Sequence, residues 1–472
     1  MDERDQQIAE LTAQNSDQKQ QIAKLQEEIA ALKAVVEKLM QRLNQNSRNS
    51  SQPPSSDRFR DRPRKRSDRK KSSRKRGGQP GHQGKTRWML PPEKVGRFEN
   101  TYPEQCEDCF SILSRKSTGV YHAHQIVELD PVSPVVTEYR SHEVICPECG
   151  WATLEQFDES VTCSWFGPRL TAVIVMLTGA YHLSRRDVVK LIKDLFDIDI
   201  SLGTVSNMEG RASDGLDDSV EEILKSALHA DAKHTDGTGW FQNGYGMQLW
   251  TIATTMVTFY KILPDGSSAS LQSMLTEKNG FLISDRAAAI NFWPMKRRQI
   301  CWSHLLRKFI SFSERDGPAG TMGKELVEYA DILFQYWREF QSGEITRTQL
   351  KKKMKPVREN VEALLEKAQK AGIREMSGSC ANIMQHRKAL WTYLDQAGVE
   401  PTNNHGEREL RGFVLWRKKS FGSQSVRGNE FAERIMTVVH TARKRAVHLL
   451  DYLATVCKAV RGHEPSPSLM LA

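Results

Sequence analysis

The sequence has no long apolar segment, and this absence excludes a membrane-spanning protein. Its longest apolar stretch, around residues 171–180, is far shorter than the roughly 20 residues that a spanning helix needs. The first residues, Met1-Asp2-Glu3-Arg4-Asp5, lack the apolar core of a signal peptide, so export is not expected. In a chain that is not exported, eight cysteines predict thiols and metal ligands rather than a disulfide framework. We therefore expect a cytosolic or nucleoid-associated protein.

Acidic residues are scarce in one segment only. The formal net charge is +10, and between Asp57 and Arg87 there are 14 Lys/Arg against 3 Asp/Glu, so the rest of the chain is nearly neutral. A polar, charged segment cannot bury enough surface to fold alone, which predicts a disordered arm over 44–89. A solvated linker is the alternative to a DNA-binding arm. The candidate phosphate contacts are Arg64, Lys65, Arg66, Lys70, Lys71, Arg74, Lys75 and Arg76.

Residues 1–43 contain no glycine or proline and carry a heptad repeat. One seam position holds Ile8, Asn15, Ile22, Ile29, Val36 and Leu43, and the other holds Leu11, Gln18, Leu25, Leu32 and Leu39. β-Branched residues at the first position and leucine at the second favour a parallel two-stranded coiled coil, in which a seam asparagine fixes the register. We expect a homodimer or higher oligomer through this segment. The alternative is an amphipathic helix docked on its own chain.

Two pairs of closely spaced cysteines lie within residues 90–160. Cys106 and Cys109 form one C-x-x-C pair, and Cys146 and Cys149 form the other. Four thiolates from two such turns can hold a structural Zn²⁺ tetrahedrally. The surrounding β-like runs at 124–129, 135–139 and 142–145 predict a β-rich zinc-binding module. A redox dithiol is the alternative, disfavoured because neither pair has a βαβ context. The isolated Cys163, Cys301, Cys380 and Cys457 are expected to be ordinary buried thiols.

Residues 161–229 have a helical pattern. Ser184 and Asp187 resemble a capping box ahead of apolar residues at helical spacing, and Ser201 can cap a second, short helix. Helix, turn and capped helix favour a helix-turn-helix that enters a major groove. A small helical bundle that does not touch DNA would show the same pattern.

The pattern changes to β after residue 230. Runs at 231–240, 247–254 and 258–263, separated by turn residues, predict an antiparallel meander that carries Asp236. A further strand at 280–285 ends on Asp285. An RNase H-like sheet places two carboxylates side by side in this way. Oxygen ligands suit two Mg²⁺ (or Mn²⁺) ions about 4 Å apart, which can promote an in-line phosphoryl displacement.

Glu407 is the best candidate for a third carboxylate. Asn403 or Asn404 can cap a helix whose first turn carries it, although Glu407 could instead only complete a capping box. Cations that could contact phosphates nearby are Arg408, Arg411, Arg417, Lys418 and Lys419. Between the second and third acids, apolar periodicity at 325–340 and 357–365 predicts a helical insertion. Trp240, Trp250 and Trp293 are expected in the core.

Several motifs together resemble transposases of the insertion sequence 66 family. The leader motifs are Asn49-Ser50-Ser51-Gln52-Pro53-Pro54-Ser55-Ser56-Asp57 and Arg76-Gly77-Gly78-Gln79-Pro80-Gly81-His82-Gln83-Gly84. The paired cysteines resemble the family's zinc module, and the block after the second acid is Cys301-Trp302-Ser303-His304-Leu305-Leu306-Arg307-Lys308-Phe309. The third-acid motif is Asn403-Asn404-His405-Gly406-Glu407-Arg408, followed by Arg417-Lys418-Lys419 and Phe421-Gly422-Ser423. The resemblance covers nearly the whole chain in the right order.

The resemblance implies a bacterial enzyme with an RNase H-like fold and the triad Asp236, Asp285 and Glu407. It implies cutting of DNA at the element's inverted ends and joining of the freed 3′-OH to target DNA. It also implies accessory proteins encoded by the same element. We expect Arg307 to contact DNA and His304 to pack or to contact phosphate near the second acid; a metal bound by Cys301 and His304 is the disfavoured alternative. Three departures from the family pattern are Gly237 after the first acid, Trp302-Ser303 before His304, and Lys419.

Together these observations predict a multidomain α+β protein. The expected domains are a coiled coil (1–43), a basic linker (44–89), a zinc-binding module (90–160), a helical DNA-binding region (161–229), an RNase H-like α/β core (230–310 and 395–450), a helical insertion (311–394) and a C-terminal tail (451–472). The favoured function is a transposase that uses two-metal catalysis. A catalytically idle DNA-binding regulator and an RNase H-like nuclease without strand transfer are the alternatives.

Overall fold

The computed structural model describes residues 3–43, 45–46, 48–50, 89–129, 132–373 and 376–471. The chain divides into two compact units, one formed by residues 62–138 and the other by residues 1–61 and 139–472. The predicted phosphate contacts of the arm, from Arg64 to Arg76, lie outside the described residues. None of the helices in these ranges combines the length and the apolar character that crossing a membrane requires.

Helix α1 (Glu3–Leu43) is continuous over 41 residues, as the lack of glycine and proline predicts. The described side chains of its heptad seam are exposed. Ile22, Leu25, Ile29 and Leu32 each keep half or more of their surface accessible. An apolar stripe of this kind is typical of a helix that pairs with another copy.

Regular structure is sparse around the cysteine pairs. Strands β1 (Glu143–Ile145) and β2 (Ala152–Leu154) form a short antiparallel hairpin. The strands expected at 124–129 and 135–139 are not formed, and the prediction of a β-rich module is wrong for these two runs. Their apolar side chains are exposed, with Ile126 at 83% and Val135 at 94%. A short extended run without a pairing strand or a covering layer is not stable as a sheet, which explains the difference.

The next segment is helical, as predicted. It contains α2 (Glu159–Thr162), α3 (Pro168–Gly179), α4 (Arg185–Phe196), α5 (Leu202–Gly215) and α6 (Asp217–His229). The expected caps are present, because Ser184 accepts from the Asp187 N–H and Ser201 accepts from the Thr204 N–H. Helices α4 and α5, joined by a short turn, bury Val188, Ile192 and Val205 with α3 in a small core of their own.

A five-stranded mixed sheet follows. Its strands are β3 (Ala232–Gln242), β4 (Tyr245–Ala253), β5 (Thr258–Leu263), β6 (Phe281–Ser284) and β7 (Arg298–Ile300), with α7 (Ser268–Met274) after β5. The spatial order is β5-β4-β3-β6-β7. The first three strands form the predicted antiparallel meander, and β6 and β7 run parallel to β3. Strand β6 pairs with residues 232–234 alone, so no other strand covers that edge of β3 beyond residue 234 in the described sheet.

The connection between the second and third acids is helical, as predicted. It contains α8 (Trp302–Ser313), α9 (Gly317–Gln341), α10 (Arg347–Lys370), α11 (Met376–Gln385) and α12 (Thr392–Asp395). These helices pack in sequence around a core that includes Phe309, Leu333 and Val361. The insertion therefore stabilises itself and begins directly at the end of β7.

Three helices complete the chain: α13 (Asn404–Ser420), α14 (Val426–Lys444) and α15 (Leu449–Arg461). Helix α13 lies along β3 and β4, and α14 covers β5. The expected C-terminal tail is instead a packed helix, because α15 buries Leu453 and Val456 against α3 and α5. Helix α15 packs on the core because one of its faces is apolar, although it lies in the segment that was expected to be a tail.

The sheet and its helices share the main core. Trp240, Trp250 and Trp293 are buried there, as predicted. Cys301, Cys380 and Cys457 are buried thiols and Cys163 is half-buried, and all eight cysteines of the described chain are free.

Candidate active site

Asp236 lies in the middle of the central strand, at the point where β6 stops pairing with β3. Burial raises the pKa of its carboxyl to about 8, and the carboxylates of Asp285 and Glu407 add to this effect. Arg307 acts in the opposite direction. Like charges raise a carboxyl pKa only over short distances, so Asp285 and Glu407 lie near Asp236.

Asp285 follows directly after β6, which is parallel to β3 and adjacent to it. Its Oδ1 accepts a hydrogen bond from the Ala287 N–H at 2.9 Å, which fixes the turn. The fully buried Arg298 of β7 donates to the backbone carbonyl of Asp285 at 3.2 Å. Sequence reasoning did not single out Arg298, because a basic residue in the run Lys296-Arg297-Arg298 gives no sign that it is buried.

Glu407 occupies the first turn of α13 and points towards α8. Its Oε2 lies 3.3 Å from Arg307 Nη2, and its Oε1 lies 3.4 Å from His304 Nδ1. Oε1 is buried and lacks a hydrogen bond to any group that the structure describes. The alternative in which Glu407 only completes a capping box is wrong, because the Asn403 side chain does not cap this helix.

Asn403 connects the strand that carries Asp236, the start of α8 and the helix that carries Glu407. Its side chain is fully buried, and Nδ2 donates to the Thr235 carbonyl of β3 at 2.9 Å. Its Oδ1 accepts from His234 Nδ1 at 3.1 Å, while its own N–H donates to Cys301 Sγ at 3.1 Å. Its carbonyl accepts the Glu407 N–H at 3.1 Å. One amide therefore holds β3, the start of α8 and the start of α13 in register, a role that its expected function as a helix cap did not suggest.

Cys301, His304 and Glu407 form a second potential ligand group, with ligand atoms within 4.8 Å of one another. Asp236 and Asp285 are not part of it. Burial raises the pKa of the Cys301 thiol to about 11, so this sulfur is protonated at neutral pH and accepts the Asn403 N–H. Burial also lowers the pKa of His304, which keeps its imidazole neutral beside Glu407. Cys301 and His304 are therefore better explained as residues that surround and support Glu407 than as ligands of a separate metal ion.

A buried polar network supports the other face of α13. Although burial acts in the opposite direction, hydrogen bonds from His405 and His440 lower the pKa of Glu409. Lys444 Nζ lies 3.3 Å from the same carboxylate and donates to the Thr254 carbonyl at 2.7 Å. This network anchors α13 to α14 and to the end of β4, and so fixes the helix that presents Glu407.

The cations predicted near Glu407 have two different environments. Arg408, Arg411 and Lys418 are exposed on α13. Arg417 differs from the expectation, because its half-buried guanidinium donates to Thr238 Oγ1 at 3.2 Å and to the Gly239 carbonyl. Arg417 therefore attaches α13 to the uncovered edge of β3, and the exposed cations, which also include Lys419, are the ones available to phosphates.

The two cysteine pairs form turns of the same geometry. In each turn the first cysteine pairs through its backbone with the residues four and five positions later, and the residue four positions later (Phe110 or Gly150) has a positive φ. The bonds are Cys106 N to Ser111 O (2.9 Å), Phe110 N to Cys106 O (3.0 Å), Cys146 N to Trp151 O (2.9 Å) and Gly150 N to Cys146 O (2.9 Å). Hydrogen bonding lowers the pKa of Cys109, chiefly through Ser111, and of Cys146, chiefly through the Cys149 backbone. In each turn, hydrogen bonding therefore favours the thiolate form of one cysteine, which is the form that binds Zn²⁺.

The three acids fit hard divalent cations. They offer only oxygen donors, and burial, with a further contribution from the Asp285 and Glu407 carboxylates, raises the pKa of Asp236 so that its carboxyl resists ionisation at neutral pH. Glu407 Oε1 is buried without a hydrogen-bond partner in the described chain, as expected of a ligand atom. A bound cation would favour the ionised form of Asp236 and would give Glu407 Oε1 a partner.

Comparison with known families gives two matches. A model described as Transposase IS66 family matches residues 163–431, which is more than half of the chain and includes all three acids. A second model, a family of unknown function (DUF6444), matches residues 1–88. No curated protein matches the chain significantly.

Proposed function

This chain belongs to the IS66 family of transposases, and on that premise we propose that it cuts the ends of an insertion element and joins them to target DNA. The family match confirms the resemblance seen in the motifs and supports a transposase role in general. The observation that carries the finer proposal is the convergence of Asp236, Asp285 and Glu407 from two adjacent strands and one helix.

We propose that the sheet and its helices are an RNase H-like core. The strand order and directions support this assignment, since an antiparallel meander is followed by two strands parallel to the first. In such a sheet the first acid lies on the central strand and the second follows the neighbouring parallel strand. Helix α13, lying along the uncovered edge of β3, brings the third acid to the same end.

Asp236, Asp285 and Glu407 would hold two Mg²⁺ (or Mn²⁺) ions. Such ions lower the pKa of bound water and stabilise charge on the leaving oxygen of a phosphodiester. Arg307 donates to Glu407 Oε2 and so holds this carboxylate in place, while His304 lies beside its Oε1. Arg408 and Arg411 would bind the DNA backbone beside the acids, and Asn403 keeps the three supporting elements in register. No covalent bond between protein and DNA is required.

The remaining regions would bind and pair the DNA ends. The matching cysteine turns, Cys106 with Cys109 and Cys146 with Cys149, each offer a pair of thiols suited to a structural Zn²⁺. The capped α4–α5 pair supports major-groove reading of the inverted ends, and the basic arm would add salt-dependent affinity. The exposed seam of α1 supports a homodimer that brings two ends into one complex. Accessory proteins of the same element would complete the assembly.

A cleavage assay tests the proposal. Purified full-length protein is incubated with labelled inverted-end DNA and Mg²⁺, and nicked and joined products are separated. We expect both products, and their loss in Asp236→Asn with DNA binding retained. Binding without nicking by the parent protein would favour the idle regulator, and nicking without joining would favour the nuclease.

A further inference from the structure

Three exposed aromatic side chains lie at the far end of β3 and α13, away from the acids. Phe241 lies near the end of β3, Tyr245 is the first residue of β4, and Phe421 directly follows α13. Their exposed fractions are 44%, 76% and 78%. Two backbone hydrogen bonds join these segments, from Ser423 N to Phe241 O at 2.9 Å and from Asn243 N to Ser423 O at 2.8 Å. We refer to Phe241, Tyr245 and Phe421 as the aromatic tip.

Phe421 has a backbone conformation that its side chain does not favour. Its φ is +58°, in the left-handed region, where glycine or asparagine normally ends a helix. A bulky residue at positive φ is uncommon and strained, and strain of this kind is concentrated at functional sites. The exposed ring gains little from packing in exchange. The next residue, Gly422, keeps the turn close to the hairpin, because a side chain there would collide with the Phe241 carbonyl.

The surface that leads from the acids to the aromatic tip is basic. Arg411 and Lys418 are four and eleven positions after Glu407, so they lie on nearly the same face of α13 as this acid. Lys419 and Arg427 are exposed close to Phe421 in the sequence. This charge is complementary to a phosphate backbone that runs along the helix.

We infer that the aromatic tip stacks on unpaired bases of the DNA strand whose phosphodiester lies at the three acids. This inference rests on the proposed function. Six residues of strand separate Asp236 from the end of β3, and fourteen residues of helix separate Glu407 from Phe421; each corresponds to about 20 Å. At about 3.4 Å per nucleotide, the stacked bases lie about six nucleotides from the cut. Unpaired bases fit because aromatic rings bind their exposed π faces, which a closed duplex hides.

Fluorescence of 2-aminopurine tests this inference. The probe is a DNA hairpin with a single-stranded overhang of about ten nucleotides, in which 2-aminopurine replaces each overhang base in turn. The full-length protein is used without Mg²⁺, so that no chemistry takes place. We expect quenching in the overhang, and affinity for it that falls about 5- to 100-fold in Phe421→Asn, since each stacked base contributes a factor in this range. Asparagine tolerates the left-handed backbone, so the fold is preserved.

Three comparisons make the test decisive. Phe421→Tyr keeps the ring and should bind the overhang like the parent, and Tyr245→Ser should weaken overhang binding in the same way as Phe421→Asn. Met256→Ala removes another exposed apolar side chain, in the turn between β4 and β5, and should have no effect. Unchanged overhang affinity in both ring-removing variants, or an equal loss for fully paired DNA, would overturn the inference. Cleavage of end DNA with Mg²⁺ is read separately, so the proposed function and this inference can fail independently.

Discussion

Replacement of Asp236 by asparagine should stabilise the metal-free protein at neutral pH. The folded state holds the Asp236 proton up to a pKa of about 8, whereas the unfolded chain releases it near 3.8. The folded state therefore binds more protons in this window, and stability falls as pH rises from about 4 towards 8. An acid that resists ionisation opposes folding above its unfolded pKa, and an amide in its place does not.

The size of the effect follows from the same shift. At pH 7 the unfolded carboxyl is about three pH units above its pKa, and each unit corresponds to 1.36 kcal/mol, which gives about 4 kcal/mol as an upper limit. Near pH 4 the two proteins should be equally stable. Added Mg²⁺ should stabilise the parent, because it binds the ionised acids of the folded state, and should stabilise Asp236→Asn much less.

Thermal unfolding of the metal-free proteins at pH 4 and pH 8, with and without Mg²⁺, measures both effects. Asp194→Asn, at an exposed position of α4, is the matched control and should follow the parent. The reasoning is refuted if Asp236→Asn gains no stability over the parent between pH 4 and pH 8. It is equally refuted if Mg²⁺ shifts both proteins by the same amount.

Three further predictions concern the surroundings of the acids and the cysteine turns. In Gly237→Ala the new Cβ would lie 3.0 Å from the indole of the opposite tryptophan, so we expect a loss of about 1–3 kcal/mol by thermal unfolding, whereas Gly246→Ala, with no heavy atom within 4 Å, should be neutral. Asn403→Ala should slow cleavage while leaving the KM for DNA unchanged, because it removes hydrogen bonds that position the acids and does not remove a phosphate contact. Asn404→Ala should leave the rate of cleavage unchanged. Equal effects of the two substitutions on this rate would contradict the role assigned to Asn403. Cys109→Ser should abolish bound zinc in elemental analysis of the purified protein, and zinc retained at the parent's level would exclude this thiol as a ligand.

Local patterns were sufficient to predict most elements of the core. The meander, the strand before Asp285 and the capped helices α4 and α5 follow from alternation, turn residues and cap residues, which act over a few neighbouring positions. The placing of Asp236 within the first strand of the meander, of Asp285 after the fourth strand and of Glu407 in the first turn of a helix was predicted for the same reason. That they form one site is supported by the contribution of Asp285 and Glu407 to the raised pKa of Asp236.

Features that depend on distant contacts could not be predicted. The Asn403 side chain was expected at a helix cap, but burial against β3 redirects its amide to Thr235, 168 positions away. Arg417 was expected at DNA, but the edge of β3 left uncovered by β6 provides carbonyl acceptors that the sequence does not reveal. The runs at 124–129 and 135–139 were predicted to be strands and are not, because a favourable local pattern does not form a strand without another strand to pair with.

The packing of α15 against α3 has a consequence for the order in which the molecule is completed. These helices are about 270 residues apart in the chain, yet each covers an apolar surface of the other. During synthesis at about 5–20 residues per second, α3 would wait about 15 to 60 seconds for its covering helix. A nascent or truncated polypeptide thus keeps an apolar surface of α3 uncovered beside α4 and α5 until α15 has been synthesised.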